Sequence, residues 1–154
     1  VLGLLFCVEA FALEPAKAGL PHYQMVKAKS VLKFIAQHNG TPVEVKFNVF
    51  DAAIVFDPDR LDQSSIRVEV ALASMAMGDK TLYDTLLSPD WLDAIANPKA
   101  VFVSESIDRI PQTQDYYAKG KLTLAGVTKP VMLNFTLRFA DDAVVVAQGY
   151  ATLQ

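Results

Sequence analysis

Cysteine is nearly absent: Cys7 is the only one in 154 residues, so no internal disulfide can form. The lone thiol says nothing about compartment. Basic residues are not in excess either. Fourteen Lys and Arg face 17 Asp and Glu, a formal charge of −3. A nucleic-acid binder needs a dense basic face, which this balance does not supply, so no nucleic-acid partner is expected. Histidine is scarce. His22 and His38 lie far apart, neither has a second ligand at metal spacing, and both read as turn or surface residues. The sequence contains no H-E-x-x-H, G-x-S-x-G, Walker loop or G-x-G-x-x-G. Asp57, Asp59 and Asp62 cluster, but the glycine and closing glutamate of a calcium loop are missing. That cluster reads as a strand-ending turn. No catalytic constellation, metal or cofactor is expected, and the chain is read as a non-enzyme.

Long apolar runs are also lacking. The longest candidate, "VLGLLFCVEAFALEP", is too short for a membrane span and carries Glu9, so no integral span is expected. It has the length of a signal-peptide core, and Ala10-Phe11-Ala12 resembles a cleavage site. Residues 1–12 are therefore read as a partial signal peptide, 13–22 as a linker marked by Pro15, Gly19 and Pro21, and 23–154 as one folded domain. At the other end "VVVAQGYATLQ" stops in what reads as mid-strand. The domain is expected to be C-terminally incomplete, and the open edge would favour a homodimer.

What is abundant is apolar residues in strict alternation. Hydrophobic residues make up 52% of the chain and charged ones 20%, which suits one globular domain. In "KLTLAGVTKPVMLNFTL", Leu122, Leu124, Val131, Leu133, Phe135 and Leu137 occupy every second position, with a Gly-Val-Thr-Lys-Pro turn between the runs. "VEVKFNVF" places Val43, Val45, Phe47 and Val49 on one side and Glu44, Lys46 and Asn48 on the other. "SVLKFIAQ", "AAIVFD", "SIRVEVALA" and "AVFVSESI" repeat the pattern. Asn39-Gly40 and Asp57-Pro58-Asp59 supply turn chemistry. About eight short strands spaced by turn signals predict an all-β sandwich or up-and-down barrel, and their one-sided alternation favours a barrel or strongly curved sheet whose inner face is apolar throughout.

One stretch breaks this rhythm. In "GDKTLYDTLLSPDWLDAIANP", Leu82, Leu86 and Leu87 follow helical spacing. Ser88-Pro89 reads as the cap and first residue of a second short helix carrying Trp91, Leu92 and Ile95 on one stripe. A helical insertion near residues 80–96 is predicted.

Three blocks together resemble the YceI-like, polyisoprenoid-binding domain: "SVLKFIAQHNGTPVEVKFNVFDAAIVFDP", "LYDTLLSPDWLDAIANPKAVFVSESI" and "GKLTLAGVTKPVMLNFTL". The likeness runs over Tyr23 to Gln154 and is most specific at Gly120–Leu137. It departs from the family at Lys29-Ser30, where many members carry His-Ser, and at Val45, where Gly is common. The resemblance implies a lipocalin-like extended β-barrel, exported to the periplasm, holding a long isoprenoid or similar amphiphilic lipid.

A magnitude bears on that implication. An empty apolar cavity of roughly 500 Å³ would cost ~12 kcal/mol at the slope seen in cavity mutants. That rivals the whole stability of a domain, about 5–15 kcal/mol. The inner face must be filled, by side chains or by a ligand. An isoprenoid chain suits an apolar wall, since each buried CH2 contributes about 0.8 kcal/mol. On this reading the wall is Leu32, Phe34, Phe47, Phe56, Val68, Val70, Phe102, Leu122, Leu124, Leu133 and Phe135, with Leu86, Leu87 and Trp91 covering one mouth. The alternative is a solid-core β-barrel that acts by its surface as an interaction or stress-response module.

Overall fold

Alternation becomes strand almost everywhere. The computed structural model describes residues 2–14, 20, 22–25, 27, 30–38, 41–141 and 144–153. Its strands are β1 (Leu2–Glu14), β2 (His22–Met25), β3 (Ser30–His38), β4 (Thr41–Phe47), β5 (Phe50–Val55) and β6 (Ser65–Ala71). After them come β7 (Met75–Ala76), β8 (Lys99–Arg109), β9 (Tyr116–Leu124), β10 (Val127–Asp141) and β11 (Val144–Leu153). One helix, α1 (Lys80–Leu87), sits between β7 and β8. The ladders are antiparallel, in the order β11-β10-β9-β8-β6-β5-β2-β1-β3-β4-β7, and β1 pairs in addition with β11.

Ring contacts prove that the sheet curls. Phe56 follows β5, and β10 lies four ladder steps away, which in a flat sheet is roughly 19 Å. Yet the Phe56 and Phe135 ring centroids are 6.1 Å apart. Only a sheet wrapped round its own inner face brings them together. The fold is all-β, of the β-barrel type, with one short helical insertion.

The helical stretch yields one helix where two are predicted. Asp79 caps α1, its carboxylate accepting the Leu82 amide at 3.0 Å. The second helix does not form. The Ser88 hydroxyl donates to the Thr85 carbonyl at 2.6 Å, so it closes α1 and is not left to cap a following helix. Asp93 then takes a φ of 46°, which a right-handed helix cannot continue. Residues 88–97 are turns.

Two turns also differ from expectation. The reversal after β9 is the pair Ala125-Gly126, with φ of 51° and 75°, while Val127–Pro130 already pair with Lys121–Leu124. Both residues at positive φ make the two-residue hairpin that matches strand twist. Pro130 is tolerated because the β11 ladder begins only at Leu133, so no partner needs its missing N–H on that side. Val49, placed by alternation on the inner face, lies in the β4–β5 turn and is 60% exposed. The Asn39-Gly40 turn lies outside the described residues, though the strands flanking it meet at His38 and Thr41.

At the termini, β1 pairs with β3 over Leu2–Val8, with β2 over Phe11–Glu14, and with β11 from Leu2 to Ala12. β11 has partners on both sides, β10 and β1, so the open edge that sequence reading placed there is taken. Among the described residues no helix is long and apolar enough to cross a membrane.

Candidate functional site

Register stacks the inward side chains in layers. Phe50 faces Val70, and Val70 faces Ala100. One layer deeper, Ala52 faces Val68, Val68 faces Phe102, and Phe102 faces Leu122. Deeper still, Ile107 faces Ala118 and Ala118 faces Leu133. All these residues except the half-buried Leu122 belong to one buried cluster. Small Ala and Gly positions alternate with Phe, which lets a ring cross the interior. At Gly120 an added Cβ would stand 2.7 Å from the Phe102 ring and 2.3 Å from the Val103 carbonyl. The absence of a side chain there seats the ring.

One end of this interior is closed. Phe56 meets Tyr116 edge-on with centroids 5.0 Å apart, and Tyr116 stacks on Phe135 at 5.6 Å. Such pairs add about 0.5–1.5 kcal/mol each beyond area burial. The Arg109 guanidinium lies 5.3 Å over the Tyr116 ring, sealing it from outside. Beside this base the Asp57 carboxylate accepts the Asp59 amide at 2.9 Å and the Arg60 guanidinium at 2.8 Å. Those two donors hold its carboxyl below the usual range. Burial, and then the negative Asp57, push the Tyr23 phenol up. The aspartate cluster is thus a hydrogen-bonded turn, and among the described residues no group of acids, His or Cys could hold a metal.

The opposite end is different. Phe50 starts β5 and Phe56 follows its last residue, roughly 20 Å of strand away. Here a cleft of about 330 Å³ opens beside the β4–β5 turn. Val31, Phe47, Val49 and Phe50 give it apolar walls, and Phe47 and Phe50 are members of the buried core. Lys27, Ser30, Lys46 and Asn48 give it a polar rim. The turn is pinned: the Asn48 amide donates to the Ser74 carbonyl and the Val49 amide to the Ser74 hydroxyl, each at 3.0 Å. The same segment receives α1, whose Tyr83 hydroxyl donates to the Ala73 carbonyl at 2.9 Å. The helix therefore stands at the cleft end of the barrel.

Of the residues assigned from sequence to a pocket wall, Leu32, Phe47, Phe56, Val68, Val70, Phe102, Leu133 and Phe135 fall in the single buried cluster, together with Leu86 of α1. Leu87, Leu122 and Leu124 are half-buried against it. Trp91 is not drawn in: with the second helix lost it is 47% exposed, and Leu92 takes the buried place. The Phe34 side chain lies outside the described residues. Phe47 alone of these lines the cleft. Reasoning from sequence missed Tyr116, although stepping back by twos from Leu124 reaches it through Leu122, Gly120 and Ala118. It also missed the rim pair Lys27 and Lys46, for which no motif exists.

A family model described as the YceI-like domain matches residues 23–154. Curated relatives include a UPF0312 protein of Pectobacterium carotovorum, 32% identical over 103 residues, covering 67% of this chain and 48% of the relative. A UPF0312 protein of Vibrio cholerae is 31% identical over 109 residues, covering 70% and 57%. The chain thus spans about half the length of the curated relatives it matches. Among solved structures, Burkholderia cenocepacia BcnA is similar at a TM-score of 0.70 and 25% identity, covering 82% of this chain and 98% of that one. A Campylobacter jejuni YCEI protein shares the fold at a TM-score of 0.57 and 24% identity, covering 68% of this chain and 61% of that one.

Proposed function

The chain belongs to the YceI-like domain family, and from that premise we propose that its barrel holds the chain of an isoprenoid or similar amphiphilic lipid, as a periplasmic carrier or reservoir. The observation that carries this reading is the cleft whose apolar walls, Phe47 and Phe50, are themselves part of the interior core. A greasy chain laid against those walls leaves water, and each CH2 buried contributes about 0.8 kcal/mol. The protein is read as a binder and not an enzyme. Among the described residues the carboxylates with lowered pKa, Asp57 and Glu69, are held by surface cations and not poised in a cavity.

Extraction of the purified protein with organic solvent, followed by mass spectrometry, tests the reading. A stoichiometric lipid is expected; repeated recovery of none, with failure to take up farnesol, overturns it. The second reading, a solid-core interaction or stress-response module, is favoured by the aromatic base of Phe56, Tyr116 and Phe135, whose rings pack against one another at that end.

Export rests on residues 1–12 as a signal remainder. The family match beginning at residue 23 supports it, and the pairing of Leu2–Glu14 as β1 weighs against it. A signal is cut away and a strand is kept, so the N-terminus of protein recovered from the periplasm decides. Cleavage near Ala12 is the expected result. For a homodimer, the edge offered to a second copy is that of β4, which among the described residues pairs beyond β3 only through Lys46 and Phe47.

A further inference from the structure

We propose that the cleft end of the barrel is a membrane-docking face, whose apolar turn tips enter the interfacial layer of a zwitterionic phospholipid bilayer. This goes beyond the lipid-binding reading and requires no ligand in the barrel. The first ground is placement. The large hydrophobic residues exposed among the described ones are Val49, Trp91, Ile95, Val103, Val127 and Met132. Val103 and Met132 lie on strands of the barrel wall, Val103 directly across from Arg67 and Lys121, and Met132 across from Lys119. The other four gather at the cleft end, along a rim that backbone contacts trace. The Val49 carbonyl accepts the Ala71 amide at 2.9 Å, and the next amide, that of Leu72, donates to the Pro98 carbonyl at 3.0 Å. Asn97 adjoins the hairpin that leads into Val127, its side-chain oxygen 3.3 Å from where a Cβ on Gly126 would stand. Trp91 and Ile95 sit in the turns that run from α1 to Asn97.

The second ground is area, which decides between a bilayer and a protein partner. The four side chains are 47% to 91% exposed. Together they offer roughly 450 Å², against ~800 Å² buried by each partner of a specific protein complex. They are also spread from β5 to β10, four ladder steps or roughly 19 Å. Separate tips of that total fall short of a close-packed protein interface. A bilayer receives each tip without shape complementarity, in proportion to its apolar area. The third ground is charge. Lys27 and Lys46 line the cleft, while Asp90 adjoins Trp91 and the Asp93 carboxylate accepts the Asn97 side-chain amide at 3.0 Å. Lys80 and Lys99 are paired with Asp84 and Glu69. A rim of both signs gives no field selective for an anionic leaflet and matches a neutral, dipolar surface. An indole in that layer keeps its ring among acyl chains and its N–H among head groups.

Trp91 is the only tryptophan, so its emission reports on this face directly. Adding phosphatidylcholine vesicles to the full chain should shift that emission to the blue and shield it from aqueous iodide. In vesicle flotation, a W91Q/I95Q double variant should lose about tenfold or more in partition, because two exposed apolar side chains no longer enter the layer. V103Q, on the barrel wall, should float as the parent does, and 0.5 M salt, on the order of a 4 Å screening length, should change little. Unchanged emission, or flotation untouched by the double variant, overturns the docking face. Binding confined to phosphatidylglycerol vesicles and abolished by salt overturns it as well, because the contact would then be one of charge. So does a dimer in lipid-free sedimentation that the double variant dissolves, since a second copy would then be the occupant. Farnesol uptake by the same proteins separates this proposal from the lipid-binding reading. Uptake without vesicle binding overturns docking alone, and vesicle binding without uptake supports docking while overturning the lipid reading.

Discussion

At the scale of single residues, the interior is governed by what is missing at Gly120 and by one extra residue in β8. The Phe102 ring occupies the volume a side chain at Gly120 would need. Gly120→Ala sets a methyl 2.3 Å from the Val103 carbonyl, which is backbone and cannot swing away. The expected loss is about 1–3 kcal/mol, read from the midpoint of urea unfolding. A loss under a few tenths would mean the ring packs elsewhere. Ile107 shows why alternation misjudges some residues. Counting by twos from Phe102 puts it on the outer face, yet it is 3% exposed. A bulge between Ser104 and Ser106 adds one residue and reverses the phase. Nothing in "VSESID" announces that bulge, because its cause is the fit to β9 across the ladder.

At the scale of elements, turns are where local chemistry is most legible and most often displaced. Asp57-Pro58-Asp59 was readable as a turn, and the structure adds the Arg60 ion pair at 2.8 Å. Because folding lowers the Asp57 pKa, its contribution is present at pH values above the ordinary carboxylate range and is lost as pH falls through the folded value. Comparing the thermal midpoint of Asp57→Asn with the parent should show a gap at pH 7 that closes in acid. A gap that persists at pH 2 would assign the effect to shape and not charge. In the hairpin between β9 and β10, Ala125 holds a φ of 51°. Alanine pays about 1–2 kcal/mol for left-handed backbone, so Ala125→Gly should raise stability, by about 1 kcal/mol in chemical denaturation after glycine's own entropy cost. The second helix was illegible for a related reason: its stripe was present, but Ser88 was already committed to α1 and Asp93 reversed the chain.

At the scale of the whole molecule, the barrel has two unlike ends. Aromatic rings and Arg109 close the base, while the cleft, the pinned β4–β5 turn and α1 share the other end. Leu124 lies near the cleft end, since its neighbour Thr123 faces Val101 and Val70 faces Ala100. Leu124→Trp should therefore cut prenyl-lipid uptake severalfold while the thermal midpoint moves by only a few degrees. Uptake unchanged, or a collapse of the midpoint, would mean that this end is filled by side chains as the base is.

Alternation in the chain was enough to establish an all-β fold, one apolar face on each strand, and most of the residues that line the interior, because strand periodicity is a local property written in every second position. Where Leu32, Phe47, Phe102 and Phe135 fall was legible on that ground alone. Which of them meet was not. The Phe56–Tyr116–Phe135 contact, the bulge that turns Ile107 inward, and the convergence of Lys27 and Lys46 on one cleft depend on ladder register and sheet curl. Those are set by pairing between segments far apart in the chain, and no window of sequence contains them.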